Sequence, residues 1–415
     1  MSGPVPKRSF LFLQGPHGSF FWRLGQALAA DGHAVHRINL NGGDRADWPG
    51  PAVDYRGALR GWPIFFDDFV SEHGVTDLIL FGDCRPHHGS AHGMASLRNI
   101  RVHVVEEGYI RPDFMTFQED GVNGNSTLPR DPDWYREQAR LAPPPPTPPV
   151  VPSSFRRRVD ETMRYSVATA LRWPLYPFYR SHRLDSMTRE ALGWALRLAT
   201  REREARRSAD AWTRVAGRPY FALPLQLNTD YQLRVHSPFD DMTAALRFVV
   251  KSFARSAPAD VDLVVKRHPL DGGLRPWRRL TARLARRYGV EDRVHYLGEA
   301  DIGPVVEGAR GVVTVNSTVG TLALNRGIPV AVLGHAVYDV PGIVHSGPLD
   351  AFWTAPSPPD RTLYEDFRRV LIDRCLIAGG YGSDEGVALL VESARARLTA
   401  RLTALTPERI AARWG

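Results

Sequence analysis

Asp262-Leu-Val-Val-Lys266-Arg267-His268-Pro269 is an apolar run that ends in charge and imidazole. A basic stretch with helical character follows, and then Val312-Val-Thr-Val-Asn316-Ser317-Thr318-Val-Gly320-Thr-Leu-Ala-Leu324 opens as a second apolar run and breaks at Asn-Ser-Thr-x-Gly. Gly327-Ile-Pro-Val-Ala-Val-Leu-Gly334 is a third buried-strand pattern behind a glycine. Strand, helix, strand, loop, helix, strand is a doubly wound α/β order, and such sheets place ligands at the carboxyl ends of their strands. Both polar clusters fall at such ends. Hydroxyl and amide side chains with a glycine at a helix start suit a phosphate or carboxylate, because the unpaired N–H groups there point at it. Lys266 and His268 are expected to face the same anion as Asn316, Ser317, Thr318 and Gly320, which together read as a nucleotide-sugar site. The same turn residues also cap helices with no ligand involved.

Upstream, Arg218-Pro-Tyr-Phe-Ala-Leu-Pro224 opens this half as a strand, with Gln226-Leu-Asn228-Thr-Asp230-Tyr231-Gln232 at its end and Ser237 as a helix cap. The first half repeats the pattern. Ser9-Phe-Leu-Phe-Leu-Gln14 is a strand, Gly15-Pro16-His17-Gly18 a tight loop, and Ser19 the cap of a helix over Phe20–Asp31. The loop lacks the Gly-x-Gly-x-x-Gly of a dinucleotide fingerprint and serves either as a plain turn or to bring backbone close to a substrate. Asn41-Gly-Gly-Asp reads as a turn after the second strand. Gly82-Asp-Cys-Arg85-Pro-His87-His88 and Glu106-Glu107-Gly108-Tyr-Ile-Arg111-Pro112 close two further strands. Polar ends on separate strands, with His17, Gly18, Arg85 and Arg111 as candidate substrate contacts, are what one working edge of a Rossmann-like sheet requires. Strand alternation sends Glu106 and Glu107 to opposite faces, so only one reaches the site, and Glu107 beside Gly108 is the choice. Arg111 either holds an anionic substrate group or pairs with Glu106. Adjacent His87 and His88 point in different directions and have no third ligand at a useful spacing, so no metal is expected.

The 415 residues suffice for two domains and a substantial core. No apolar run is long enough to span a bilayer, and the start of the chain lacks the pattern of a signal peptide. Cys84 and Cys375 lie far apart, which fits a reducing cytoplasm. The net charge of +8 is concentrated: Phe155–Arg207 carries 13 arginines and 6 acidic residues, so 13 − 6 = +7 falls there. Arginine interleaved with Trp173, Tyr176, Phe178 and Tyr179 is the composition of a membrane-interface patch; a solvated helical hairpin or a nucleic-acid surface has the same composition, but nothing else suggests a nucleic-acid fold. The expected division is a Rossmann-like acceptor domain over 1–140, a polyproline linker over 141–153, a basic aromatic helical insert over 154–215, a Rossmann-like nucleotide-sugar domain over 216–360, and helices over 361–415. Two such domains facing across a cleft describe the GT-B architecture of glycosyltransferases.

Leu13-Gln-Gly-Pro-His-Gly-Ser-Phe-Phe, Gly82-Asp-Cys-Arg-Pro-His-His, Glu106-Glu-Gly-Tyr-Ile-Arg-Pro, Lys266-x-His-Pro-Leu-Asp and Asn316-Ser-Thr-Val-Gly, in this order, resemble the capsule polysaccharide biosynthesis family of the KpsS/LipB type. The resemblance spans roughly residues 10–345. It implies transfer of 3-deoxy-D-manno-octulosonic acid (Kdo) from CMP-β-Kdo to a phosphatidylglycerol-type lipid or its β-Kdo linker. The implied setting is the cytoplasmic face of a Gram-negative inner membrane, with other capsule synthesis and export proteins as candidate partners and no cofactor. Such a donor brings a phosphodiester and a carboxylate, which call for cations and N–H donors. The resemblance, extended to bacterial sialyltransferases, implies that His268 contacts the leaving CMP phosphate and that Glu107 deprotonates the acceptor. Retention of a β linkage through double displacement needs an enzyme nucleophile. Asp230 matches the nucleophile position of related β-Kdo transferases; otherwise it is a loop or capping residue. The competing readings are a GT-B transferase for another nucleotide sugar and a non-catalytic capsule assembly or export partner.

Overall fold

Runs of four or five mainly apolar residues, buried along their whole length, form the central strands Ser9–Phe12, Tyr220–Pro224, Asp262–Lys266 and Gly311–Thr314 of two largely parallel sheets, as expected of sheets covered on both faces. A computed structural model of the chain describes residues 7–110, 113–146, 151–181, 187–228 and 230–399, without the side chains of 187–191, 231 and 232. The strands are β1 Ser9–Phe12, β2 Ala34–Asn39, β3 Val53–Asp54, β4 Asp77–Phe81, β5 Arg101–Glu106, β6 Phe114–Glu119, β7 Tyr220–Pro224, β8 Asp262–Lys266, β9 Val294–Leu297, β10 Gly311–Thr314, β11 Val330–Val332 and β12 Leu376–Ala378.

The chain forms two compact units. The first draws on the described parts of Met1–Asp120, Thr147–Arg180 and Leu376–Gly415; the second on those of Gly121–Pro146 and Ser181–Cys375. In the first, the order is β12-β6-β5-β4-β1-β2-β3, parallel from β3 to β5, with β6 and β12 added antiparallel. In the second, the order is β11-β10-β7-β8-β9, all parallel. Each contains five parallel strands in the doubly wound arrangement, so the fold is α/β with two Rossmann-like units. Each sheet has one switch point, between β1 and β4 in the first unit and between β7 and β10 in the second, where flanking loops diverge and open a crevice.

The first core packs Phe10, Phe12, Phe20, Leu24 and Phe117 with Ile377, Leu390 and Leu398 from the far end of the sequence. The second packs Phe221, Leu223, Leu246, Phe253, Leu263 and Val313 with Trp353.

Several local expectations change. Ser19 makes no capping bond to the helix Phe20–Ala30. Asn41 caps a short helix, Gly42–Asp47, where a turn was expected, accepting from the Gly43 and Asp44 N–H groups. Asp241, not Ser237, caps the helix Met242–Ser256, and Ser237 donates to the Leu233 carbonyl instead. The region after residue 360 is not wholly helical: β12 separates the helices Arg361–Cys375 and Asp384–Thr399. The segment 154–215 is divided, since the helix Phe155–Leu171 belongs to the first unit and the helix Met187–Val215 to the second. Residues 121–146 also join the second unit, where Tyr135 of the helix Pro132–Leu141 packs on Phe367.

Candidate active site

Adjacency of β10, β7 and β8 brings three polar loops to one edge of the second sheet. Gln226 and Asp230 follow β7, Lys266 and His268 end or follow β8, and Asn316–Gly320 follows β10. Gln226 spans the switch point. Its side-chain nitrogen donates to the Asn316 amide oxygen (2.8 Å), and its oxygen accepts the Asn316 backbone N–H (3.0 Å). Asn316 is therefore a rivet between the loops. Its amide nitrogen also donates to the His236 carbonyl at 3.4 Å.

Lys266 is buried, and its ammonium donates to the neighbouring Arg267 carbonyl (2.6 Å). Burial pushes that ammonium down to about 8, with Glu299 pulling the other way. Arg267 serves the structure: its guanidinium ion-pairs with Glu299, which Arg197 also holds at 3.0 Å. His268 is half-buried, and its Nδ1 accepts the Leu270 N–H (3.1 Å), which leaves Nε2 to carry the proton of the neutral ring. Asp230 sits at the start of the short helix Tyr231–Val235, its own N–H donating to the Leu227 carbonyl (3.0 Å).

The Asn-Ser-Thr-x-Gly turn offers fewer donors than its sequence implies. The Ser317 hydroxyl accepts the Val319 N–H (3.2 Å), and the Gly320 N–H donates to the Ser317 carbonyl (3.0 Å). Thr318 makes no capping bond, and the following helix, Val319–Asn325, is short. Gly320 has a steric reason: a Cβ would lie 2.2 Å from the Tyr338 hydroxyl, which donates to the Ser317 carbonyl (2.5 Å). Tyr338 is a supporting residue with no local signal in the sequence, since its partner is 21 positions away.

The switch point of the first unit has a matching polar bridge: Arg85 donates to the Gln14 amide oxygen at 2.7 Å. That edge is covered by the helix Phe155–Leu171. Tyr165 of this helix stacks on His17 with ring centroids 4.3 Å apart, and its hydroxyl meets Gln14 (2.7 Å), Asn41 (2.8 Å) and Asp44 (2.9 Å). The His17 Nδ1 lies 3.1 Å from the Thr162 hydroxyl. Gly18, at φ +101°, donates its N–H to Asp47 (3.0 Å), and a Cβ there would meet the Glu161 carboxylate at 2.8 Å. Burial pushes the Asp47 carboxyl up to about 7, against the Gly18 N–H, which pulls it down, while Asp44 adds to the rise and Arg164 and Arg37 oppose it. Glu107 is ion-paired with Arg158 of the same helix (2.6 Å). Glu106 turns back to accept the Glu107 N–H (3.1 Å). The Gly15–Gly18 loop and Glu107 are thus occupied by helix side chains, a pairing no short motif shows. Arg111 lies outside the described residues.

Two doubly wound sheets, each with its polar loops gathered at a switch point, place the chain among GT-B-like α/β proteins. The family model "Capsule polysaccharide biosynthesis protein" matches residues 76–381, and the chain belongs to that family. It is 33% identical over 384 residues to the capsule polysaccharide modification protein LipB of Neisseria meningitidis serogroup A, covering 90% of this chain and 92% of that one. It is 34% identical over 379 residues to the capsule polysaccharide export protein KpsS of Escherichia coli, covering 90% and 97%. Among solved structures, Thermosulfurimonas dismutans KpsC, a beta Kdo 2,7 transferase, aligns over 93% of this chain and 99% of that one, at 14% identity and a TM-score of 0.43.

Proposed function

We propose that this chain is a retaining glycosyltransferase of capsule synthesis that moves Kdo from CMP-β-Kdo to a phosphatidylglycerol-type lipid or its β-Kdo linker. The observation that supports the reading is that Asp230, Lys266 and His268 lie at or beyond the carboxyl ends of the adjacent strands β7 and β8, with the Lys266 ammonium buried. A scaffold that only holds a fold has no need to bury a lysine charge at a strand end. Membership in the capsule family supplies the pathway.

In this mechanism Lys266 and the Nε2–H of His268 bind the CMP phosphate, and the Asn316–Gly320 turn lines the donor site beside them. Asp230 attacks the anomeric carbon as the bond to the phosphate oxygen breaks, and the departing phosphate takes the electron pair between Lys266 and His268. Glu107, on parting from its ion pair with Arg158, then takes the acceptor hydroxyl proton. The resulting oxygen displaces Asp230, and the second inversion restores the β configuration. No cofactor or metal enters, so a chelator leaves the rate unchanged. The enzyme works at the cytoplasmic surface of the inner membrane, because its acceptor is a lipid.

The test is acceptor-dependent CMP release from CMP-β-Kdo generated in situ, with phosphatidylglycerol as acceptor. Asp230→Ala is expected to lower the rate by about 10³-fold or more, the scale of losing a catalytic nucleophile. Folded wild-type protein that releases no CMP with any lipid acceptor overturns the reading.

A further inference from the structure

We propose that the outward face of the helix Phe155–Leu171, together with the turn after it, docks on an anionic lipid bilayer. This deepens the membrane-surface reading above by naming the surface that would make the contact.

The orientation of the helix within its unit is settled by its polar side. Tyr165 bonds to Gln14, Asn41 and Asp44, Arg158 pairs with Glu107, and Ala168 is buried. The opposite side is left outward, and it is apolar. Phe155, Val159, Met163, Val167 and Leu171 recur at every fourth position, and all are exposed, from 42% for Val159 to 76% for Leu171. Steps of four advance about 40° around a helix, so this row sweeps across the outward half without turning under. Trp173, Leu175 and Phe178 continue it beyond the helix end and are also exposed. Among the described residues, eight of the nineteen exposed large hydrophobic side chains fall within 155–178, which makes this a patch and not the ordinary scatter of surface apolar groups.

The charge on the same face identifies the occupant. Arg156, 4.0 Å from the exposed Asp160, and Arg164, 4.0 Å from the inward Asp47, both keep their guanidinium groups strongly exposed beside the apolar row, and the exposed Arg180 follows the turn. Arg157 and Arg158 are committed to Glu161, Asp384 and Glu107, so the outward excess is positive. A second copy would bring the same cationic face against itself. An anionic headgroup layer takes the arginines while the acyl boundary takes the apolar row and Trp173 sits at headgroup depth. Among the described residues no helix is long and apolar enough to cross a membrane, so the contact is with the surface.

The test is flotation of the full chain with vesicles of phosphatidylcholine alone or mixed with phosphatidylglycerol. Wild type is expected to float with the mixed vesicles and to be released by salt. The Met163→Glu/Leu171→Glu double variant is expected to lose at least tenfold of the bound fraction with an unchanged circular dichroism spectrum and CMP affinity. Met163→Leu/Leu171→Phe keeps the binding. Wild type that ignores the mixed vesicles at low salt, or an acidic double variant that binds them as well as wild type, overturns the proposal. So does a variant whose only change is dissociation of a dimer in sedimentation. CMP release in detergent with a short-chain phosphatidylglycerol is read in parallel. Its absence in wild type indicts the transferase reading, whereas loss of flotation alone indicts this surface.

Discussion

Lys266 carries its charge into the interior at the end of β8, where burial has pushed the ammonium down to about 8. In the free fold the charged form is therefore penalised. The lysine's contribution to stability improves as pH rises from about 8 toward the ordinary lysine value of 10.5, because the unfolded chain holds the proton over that window. Anion binding runs the opposite way, since it needs the charge. CMP affinity measured by calorimetry is expected to be flat up to about pH 7.5 and then to fall by up to about tenfold per pH unit above 8. The phosphate adds no step above pH 8, because its second ionisation has its midpoint near pH 6 and is nearly complete by then. Lys266→Gln is expected to weaken CMP at pH 7 and to abolish the step above 8. A step that survives in Lys266→Gln would assign the titration to another group. That an ammonium and an imidazole close the β8 run was legible in the sequence; that the His268 ring also turns the chain, by accepting the Leu270 N–H, was not. Their neighbours were not legible either: Arg267 reads as one more cation of that cluster, yet it is paired to Glu299, 32 positions away, a distance at which no spacing rule operates.

The helix Phe155–Leu171 is the element whose reading changes most. Its composition announced cations and aromatics, but composition does not say which side faces inward. That is decided by Tyr165, whose hydroxyl is shared by Gln14, Asn41 and Asp44, 151, 124 and 121 positions away. Tyr165→Phe keeps the stacking partner of His17 and removes only the oxygen. Its partners lie in a buried cluster, and unmet buried groups of this kind cost about 1–3 kcal/mol. Thermal denaturation is expected to show the variant destabilised by that amount, while a surface change such as Met163→Leu leaves stability alone. An unchanged midpoint would mean that water replaces the hydroxyl and that the helix is held by Arg158 and packing instead. Long apolar strands such as β4 and β8 were legible because four or five buried residues in a row have few alternatives. β12, with three residues directly after a helix, carries no readable period, and β6 (Phe-Met-Thr-Phe-Gln-Glu) lies close behind a polar loop that hides its start.

At the scale of the whole molecule, the first unit is assembled from three separated stretches, and its last stretch is structural, not a tail. β12 pairs Leu376 with Thr116, Ile377 with Met115 and Ala378 with Phe114, extending the sheet beyond β6. The helix Asp384–Thr399 then lays Val387, Leu390, Ala394 and Leu398 into the same core as Phe10, Phe12 and Phe20. Arg395 pairs with Asp31, and the Arg8 guanidinium reaches the Leu398 carbonyl, tying this helix to the first strand and helix of the chain. Burying a side chain of the Val, Leu or Ile type contributes roughly 1.5–3 kcal/mol. Ile377, Val387, Leu390 and Leu398 together therefore approach the roughly 5–15 kcal/mol by which a domain is stable at all. A chain ending after Cys375 is expected to lose cooperative folding of the first unit and to keep the second, whose stretches all precede Leu376. Hydrogen exchange read by mass spectrometry would show amides of β1, β4 and β5 exchanging freely while those of β7, β8 and β10 stay protected. Leu390→Asp, which leaves the full chain in place, should shift exchange in the same direction through one buried charge. Undiminished protection of β1 and β4 in both proteins would show that the first sheet stands without its C-terminal stretch, and the stretch would then be an addition to the fold and not part of its core.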